Sequence, residues 1–311
     1  MKYSLRQLEV FVAVARHNSV SQAAGVLAMS QSAASTALAE LERQFATRLF
    51  DRSGKRLQLN DLGQILLPRA MDILDRAREV EHVLEGASGI GPLRIGATLT
   101  IGNYLAALLI GDFMRRNPGS HIHLEVSNTR HVIERVMGFD LDLGMVEGEY
   151  QHPDLEMTPW IGDELTVFAA PEHPLAHRDT VTLADLVDAV WIVREPGSGT
   201  RQTFERGLHE ILPRLNILLE LEHTEAIKRA VESGLGIGCI SRMALRDAFK
   251  RGTLVPIHVP ALDLRRNFYF VLHRQKYVTA GIAKFLDLCR AVTANAEASD
   301  EIVLPWREGA H

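Results

Sequence analysis

Gln31, Ser32, Ser35 and Thr36 share the outer side of a segment whose inner side is Ala34, Ala37, Leu38, Leu41 and Phe45; Arg43 follows two turns beyond Thr36. Amide and hydroxyl side chains on the exposed N-terminal half of a helix both donate to and accept from base edges, which suits a major groove. The run Arg48-Leu49-Phe50-Asp51-Arg52-Ser53-Gly54-Lys55-Arg56 is a basic turn with glycine at its bend. Arg52, Ser53, Lys55 and Arg56 there are placed to contact phosphate. A second group lies further on, at helix starts that follow short apolar runs. It comprises Thr98, Thr100, Ile101 and Asn103; Thr129 after Ser127-Asn128; Glu147; Ser198, Gly199 and Thr200; and Glu225 after Thr224. Hydroxyls beside glycine-released amides at helix N-termini form a nest that suits a small oxyanion or carboxylate. Glu147 and Glu225 would repel a fully charged ligand unless each accepts from a neutral donor or holds Arg201 or Lys228.

The elements that position the first group are three short helices and a turn. Ser4-Leu5-Arg6-Gln7 and Ser19-Val20-Ser21-Gln22 have capping-box spacing. Leu8, Phe11, Val12 and Ala15 recur at helical spacing behind the first cap, Ala23, Ala24 and Leu27 behind the second, and Ser30 caps the third helix. Leu57 to Leu59 alternate as a strand, which makes the basic turn a wing. Asp61 to about Gly86 reads as one long helix, bent near Pro68. Its Leu66, Ala70, Ile73, Ala77, Val80 and Leu84 form a heptad seam for a second subunit. A dimer fixes the separation of two recognition helices on an inverted repeat.

Gly86 to Pro92 is a hinge, after which the period changes. Short strands at 93–97, 122–126, 141–146, 190–193, 217–221, 237–240 and 268–272 alternate with helical segments at 103–116, 131–138 and 200–212. That pattern predicts parallel sheets covered by helices. The chain has a formal net charge of −5, yet residues 1–60 hold eight Lys/Arg against four acids. The N-terminal part is thus +4 and the remainder −9, which confines nucleic-acid binding to the N-terminus. No apolar run approaches the ~20 residues of a membrane span, and Glu9 and Arg16 interrupt any signal-like segment. Cys239 and Cys289 have no metal or CxxC spacing and read as buried thiols of a reducing cytoplasm.

The runs Leu5-Arg6-Gln7-Leu8-Glu9-Val10-Phe11, Ser19 to Ala24, Ser30-Gln31-Ser32-Ala33-Ala34-Ser35 and Leu49-Phe50-Asp51-Arg52, with Asn60 and Gly63, resemble LysR-type transcriptional regulators. Two positions depart from the family pattern: Thr36 stands where a basic residue is usual, and Ala34 where a branched apolar one is. The first departure implies weaker contacts at Thr36. Thr100 to Tyr104 and Arg194 to Arg201 resemble the CysL/YeiE-like branch, associated with sulfur oxyanions.

The resemblance implies a winged helix-turn-helix over 1–60, a linker helix and hinge over 61–91, and an effector-binding domain over 92–298. That domain would be of two-subdomain, periplasmic-binding-protein-like α/β fold. Subdomain I would take about 92–161 and 266–298, and subdomain II about 162–265, with a loosely held tail at 299–311. Thr98, Thr100, Ser198 and Thr200 match effector-contacting positions of related regulators. The implied partners are double-stranded promoter DNA, a small effector such as sulfite, sulfate or another small anion, further copies of the chain up to a tetramer, and RNA polymerase. No cofactor and no membrane are expected.

An enzyme is disfavoured, because Gly197-Ser198-Gly199 lacks the full nucleophile-elbow pattern and no adjacent His-Asp set accompanies it. Gly234-Leu235-Gly236-Ile237-Gly238 leads into a strand, the reverse of the dinucleotide-binding order. His121/His123 and His173/His177 are weak metal candidates, the second pair interrupted by Pro174. The alternative from another class is a solute-binding or sensor protein without direct promoter control. The N-terminal helices and the lack of a signal-like segment oppose it.

Overall fold

The computed structural model describes residues 2–53, 56–84 and 90–303. The helix α1 (Leu5–His17) opens on a complete capping box, with Gln7 N donating to Ser4 Oγ at 3.2 Å and Ser4 N to Gln7 Oε1 at 2.9 Å. Ser19 and Ser30 cap α2 (Val20–Val26) and α3 (Gln31–Gln44) by accepting from Gln22 N and Ala33 N. The three helices close on Leu8, Phe11, Val14, Ala23, Ala24, Ala34, Leu38 and Leu41, all buried. Phe45, expected on the inner face, is instead exposed at the end of α3 beside the Tyr3 ring. The helix stops one residue before it, so its direction is no longer set by the helical period. The strands β1 (Phe50–Ser53) and β2 (Arg56–Leu59) pair antiparallel as the wing. Asn60 fastens the wing to the next helix: its Nδ2 donates to Arg48 O and its Oδ1 accepts from Gly63 N. Gly63 is required there, since a Cβ would fall 2.2 Å from the Leu49 carbonyl oxygen.

The linker helix α4 (Asp61–Leu84) runs through Pro68 without interruption. Its Ala70, Met71 and Leu74 are buried in the same apolar cluster as α1. Leu66 and Ile73 pack partly against that cluster. The first half of the expected intersubunit seam is therefore filled within the chain. Val80 and Leu84 of the seam remain exposed, as do Leu62 and Ile65.

Beyond Ile90 the chain builds a nine-stranded sheet in the order β4-β3-β5-β11-β6-β9-β7-β8, with β10 beside β6. Its first part is β3 (Leu93–Thr98), a short α5 (Leu99–Ile101), a π turn at Gly102–Ala106, α6 (Ala107–Arg116), β4 (Ile122–Ser127), α7 (Thr129–Met137) and β5 (Leu143–Glu147). The long β6 (Leu155–Ala169) leads to α8 (Leu183–Asp188), β7 (Val190–Arg194), α9 (Gly199–Gly207), β8 (Asn216–Leu221), α10 (Thr224–Glu232), β9 (Ile237–Ser241), α11 (Arg242–Arg251) and β10 (Val255–Pro256). The strand β11 (Arg265–His273) and α12 (Ala280–Thr293) return the chain. Strands β3, β4 and β5 are parallel, as are β7, β8 and β9. The antiparallel pair β6 and β11 joins the two sets, with Ile161 opposite Phe268. One core is gathered around Ile95, Ile101, Leu105, Phe113, Phe268 and Phe285, and another around Leu165, Trp191, Phe204 and Ile237.

The segment after Ala298 is packed as far as Ile302, where a loose tail was expected; the part of that tail after Val303 lies outside the described residues. Ser299 is buried and donates to Asp163 Oδ1 at 2.5 Å, Ile302 enters the first core, and Arg246 donates to the carbonyls of Asp300 and Ile302. Among the described residues no helix is long and apolar enough to cross a membrane.

Candidate functional sites

Gln31, Ser32, Ser35, Thr36 and Arg43 are all exposed along α3, while the other face of that helix is buried in the N-terminal core. Ser32 Oγ lies 3.0 Å from the capping Ser30 Oγ. Arg6 supports the turn before α3 by donating to Leu27 O at 2.9 Å. Arg52, Ser53 and Arg56 stand on the wing strands, but their side chains, like the whole of Lys55, lie outside the described residues. The arrangement is a polar helix face beside a two-stranded hairpin whose sequence is basic.

The second group gathers at the C-terminal ends of the parallel strands, where open α/β sheets take ligands. Thr98 ends β3, Glu147 ends β5, and Thr129 opens α7. Ser198 caps α9 by accepting from Thr200 N and Arg201 N. Thr98, Thr100, Thr129, Glu147, Ser198 and Thr200 are all buried. The two strand sets are closed upon each other here. Gly199 N donates to Thr129 Oγ1 at 3.1 Å, Arg130 N donates to Gly197 O at 3.2 Å, and a Cβ on Gly199 would fall 2.2 Å from Glu147 O. On the outer side of this seam lies a cavity of about 540 Å³ lined by Arg130, Tyr150, Gly197, Arg201 and Gln202.

Three expected ligand residues take other places. Ile101 is fully buried in the first core. Asn103 is exposed at the rim of a separate cavity of about 180 Å³ with Tyr104, Arg246 and Asp247. The π turn that begins at Gly102 adds a residue to the helical period and so swings Asn103 outward. Glu225 is held rather than free: Lys228 Nζ donates to it at 2.8 Å, and the Tyr104 hydroxyl also donates to it. Burial works against its charge, but the bonds from Lys228 and Tyr104 prevail and lower its pKa. Arg194 and Glu195 form a buried bidentate pair, so neither is available to a ligand.

The residue that reasoning from the sequence passed over is Arg266. Its side chain is 1% exposed; Nε donates to Asp163 Oδ2 at 2.7 Å and Nη1 to Thr200 Oγ1 at 3.0 Å. Its Nη2 has no hydrogen-bond partner, and neither has Glu147 Oε1, which faces it at 4.0 Å. Thr224 Oγ1 is likewise buried without a partner at the start of α10. Leu264, Arg266 and Phe268 are inward at period two while Arg265 and Asn267 are exposed. An arginine on the inward register of an apolar strand was therefore the signal available. Orphaned buried donors and acceptors are rare in native structures and call for a partner.

Comparison with known proteins agrees with both halves of this geometry. Residues 5–64 match the bacterial regulatory helix-turn-helix protein, lysR family, and residues 86–294 match the LysR substrate binding domain. The chain is 44% identical over 289 residues to the HTH-type transcriptional regulator YeiE of Escherichia coli (strain K12), covering 93% of this chain and 98% of that one. The regulatory domain of Synechocystis PCC6803 CcmR, solved in complex with 2-PG, superposes with a TM-score of 0.62 at 30% identity, over 66% of this chain and 99% of that one. Full-length OxyR of Pseudomonas aeruginosa shares the fold at a TM-score of 0.70 and 21% identity, over 93% of this chain and 95% of that one. An exposed recognition helix beside a wing, joined by a long helix to a closed two-part α/β domain, is thus the arrangement of a regulator and not of an enzyme: the chain belongs to the LysR family of DNA-binding transcription regulators.

Proposed function

We propose that the seam between the two strand sets is the effector site, and that it takes a small oxyanion carrying one proton. The observation that carries this reading is the pair of orphaned groups in the closed interior, Arg266 Nη2 and Glu147 Oε1, 4.0 Å apart. A ligand with an anionic oxygen for the guanidinium and an O–H for the carboxylate satisfies both; a fully ionised one meets Glu147 unfavourably. Hydrogen sulfite has that form and suits the likeness to YeiE and the branch pattern, whereas sulfate, which carries no proton near neutral pH, has nothing to donate to Glu147. The complex of CcmR with 2-PG supports a small-molecule effector in this kind of domain.

The effector shifts the balance between two placements of the subdomains, and only by its differential affinity for them. Thr98, Thr100, Thr129, Glu147, Ser198, Gly199 and Thr200 with Arg266 form the site. Gln31, Ser32, Ser35, Thr36 and Arg43, with the wing residues Arg52, Ser53, Lys55 and Arg56, contact promoter DNA. Two chains pair through the exposed stripe of Leu62, Ile65, Val80 and Leu84 on α4, and pairs associate as a tetramer on DNA in the cytoplasm. RNA polymerase is the downstream partner.

Thermal stability of the purified protein in phosphate- and sulfate-free buffer, titrated with sulfite, sulfate, thiosulfate and small carboxylates, tests the ligand class. One anion should raise the transition, and Thr100→Ala should abolish the rise. No shift with any anion removes the oxyanion reading.

A further inference from the structure

At the far end of α7 from the cleft, Phe139 leaves the effector domain and enters the core of the DNA-binding domain. It is buried in the apolar cluster of α1, α3 and α4, and its ring lies tilted against His273, with the ring centroids 4.1 Å apart. Its backbone sits at φ 57°, a left-handed conformation unusual for an aromatic residue and held only where surroundings impose it. Those surroundings include Arg16 of α1 and Arg94 of β3, which donate to Phe139 O at 2.9 Å and 3.3 Å. Alongside, Lys276 is buried between Asp142 at 2.9 Å and Asp75 of the linker helix at 2.5 Å, while Glu79 accepts from Ala280 N and from Tyr277.

The other end of α7 is fixed to the opposite strand set. Thr129 accepts from Gly199 N, and Arg130 N donates to Gly197 O. Between its ends α7 is one unbroken helix of nine residues, about 14 Å long. Its Val132, Ile133 and Val136 are packed against Val146, Tyr269 and Val271. A short helix seated on a sheet moves as a unit rather than bending.

We infer that α7 is the mechanical link of the protein: closure of the cleft at Thr129 sets the seating of Phe139 in the DNA-binding domain. This rests on the cleft being the effector site. The path itself is defined by contacts at both ends of one rigid element, and it responds to any change that parts Gly199 from Glu147.

The test needs no ligand. Gly199→Ala places a methyl against the Glu147 carbonyl and wedges the seam open. Amide hydrogen exchange of the full chain should then rise roughly tenfold or more in residues 138–142 and in α1 from Val10 to Arg16. Phe139→Ala should produce the same rise in α1, and adding Gly199→Ala to it should change α1 no further. If circular dichroism shows that Phe139→Ala fails to fold, Phe139→Leu takes its place. Unchanged α1 exchange in Gly199→Ala while residues around Glu147 loosen, or additive effects of the two substitutions, would overturn the link. A failed anion titration with a positive exchange result would discard the ligand class alone.

Discussion

Replacing Arg266 by methionine probes the interior of the cleft most severely. The guanidinium is the only cation paired with Asp163 among the described residues, and it faces Glu147; both carboxylates are no more than 2% exposed. Taking it away strands two acids in a dry interior, and breaking a buried pair in this way costs about 3–5 kcal/mol. Asp163 keeps donors from Ser241 at 2.6 Å and Ser299 at 2.5 Å, which places the loss toward the lower end. For a domain of this size about 3 kcal/mol corresponds to roughly 6–12 °C in Tm. All three tryptophans, Trp160, Trp191 and Trp306, lie in the C-terminal part. With Trp306 replaced by phenylalanine, intrinsic fluorescence follows Trp160 and Trp191 of the effector domain alone, even where the whole chain does not unfold in one step. Adding Asp163→Asn to Arg266→Met should restore more than about 1 kcal/mol, because it removes one of the stranded charges. A loss below about 1 kcal/mol, or a double variant less stable than Arg266→Met, would refute this electrostatic picture.

Lys276→Met leaves Asp75 and Asp142 facing each other across the junction of linker and effector domain. It should destabilise the chain by about 3 kcal/mol in urea unfolding and expose the 138–142 loop to proteolysis. The same junction should loosen in acid. Burial raises the pKa of Asp142, but the Arg94 hydrogen bonds and the Lys276 charge outweigh it and bring it down to about 2. A carboxylate depressed on folding stabilises above its unfolded pKa of about 4 and loses that contribution as pH falls toward 2, here about 2 kcal/mol. Acid titration followed by proteolysis of the loop should show that window, and Asp142→Asn should flatten it. On DNA, Ser35→Ala should relax sequence preference, with the salt slope unchanged. Arg43→Ala should weaken binding to all sequences and lower the slope by about 1, as measured by anisotropy over a range of salt.

The exposed polar face of α3 was legible because capping serines and a helical period define it locally, without reference to the rest of the molecule. The linker seam was legible only in part. Leu66, Ala70 and Ile73 repeat in the same way whether they meet α1 of their own chain or a second subunit, so spacing does not identify the partner. Asn103 departed from expectation because a π turn breaks the period, and nothing in Gly102 to Ala106 announces one; Ile101, before that turn, is an ordinary apolar core residue. The cleft residues are small hydroxyls at helix starts, which sequence reads equally as caps; Ser198 is in fact both cap and cleft residue. Arg266 and Phe139 act through partners more than a hundred residues away, Asp163 and Arg16. Only the fold brings these together.

If the cleft governs DNA binding from a site separate from the recognition helix, an effector must alter operator affinity without touching α3. Anisotropy of an operator recovered by in vitro selection, with and without sulfite, for the wild type and Thr100→Ala, tests it most directly. The wild type should change its apparent Kd on adding sulfite, while Thr100→Ala binds the operator as the free wild type does and no longer responds. Loss of operator binding by Thr100→Ala without sulfite, or an undiminished sulfite response in that variant, would show that cleft and recognition helix do not have these separate roles.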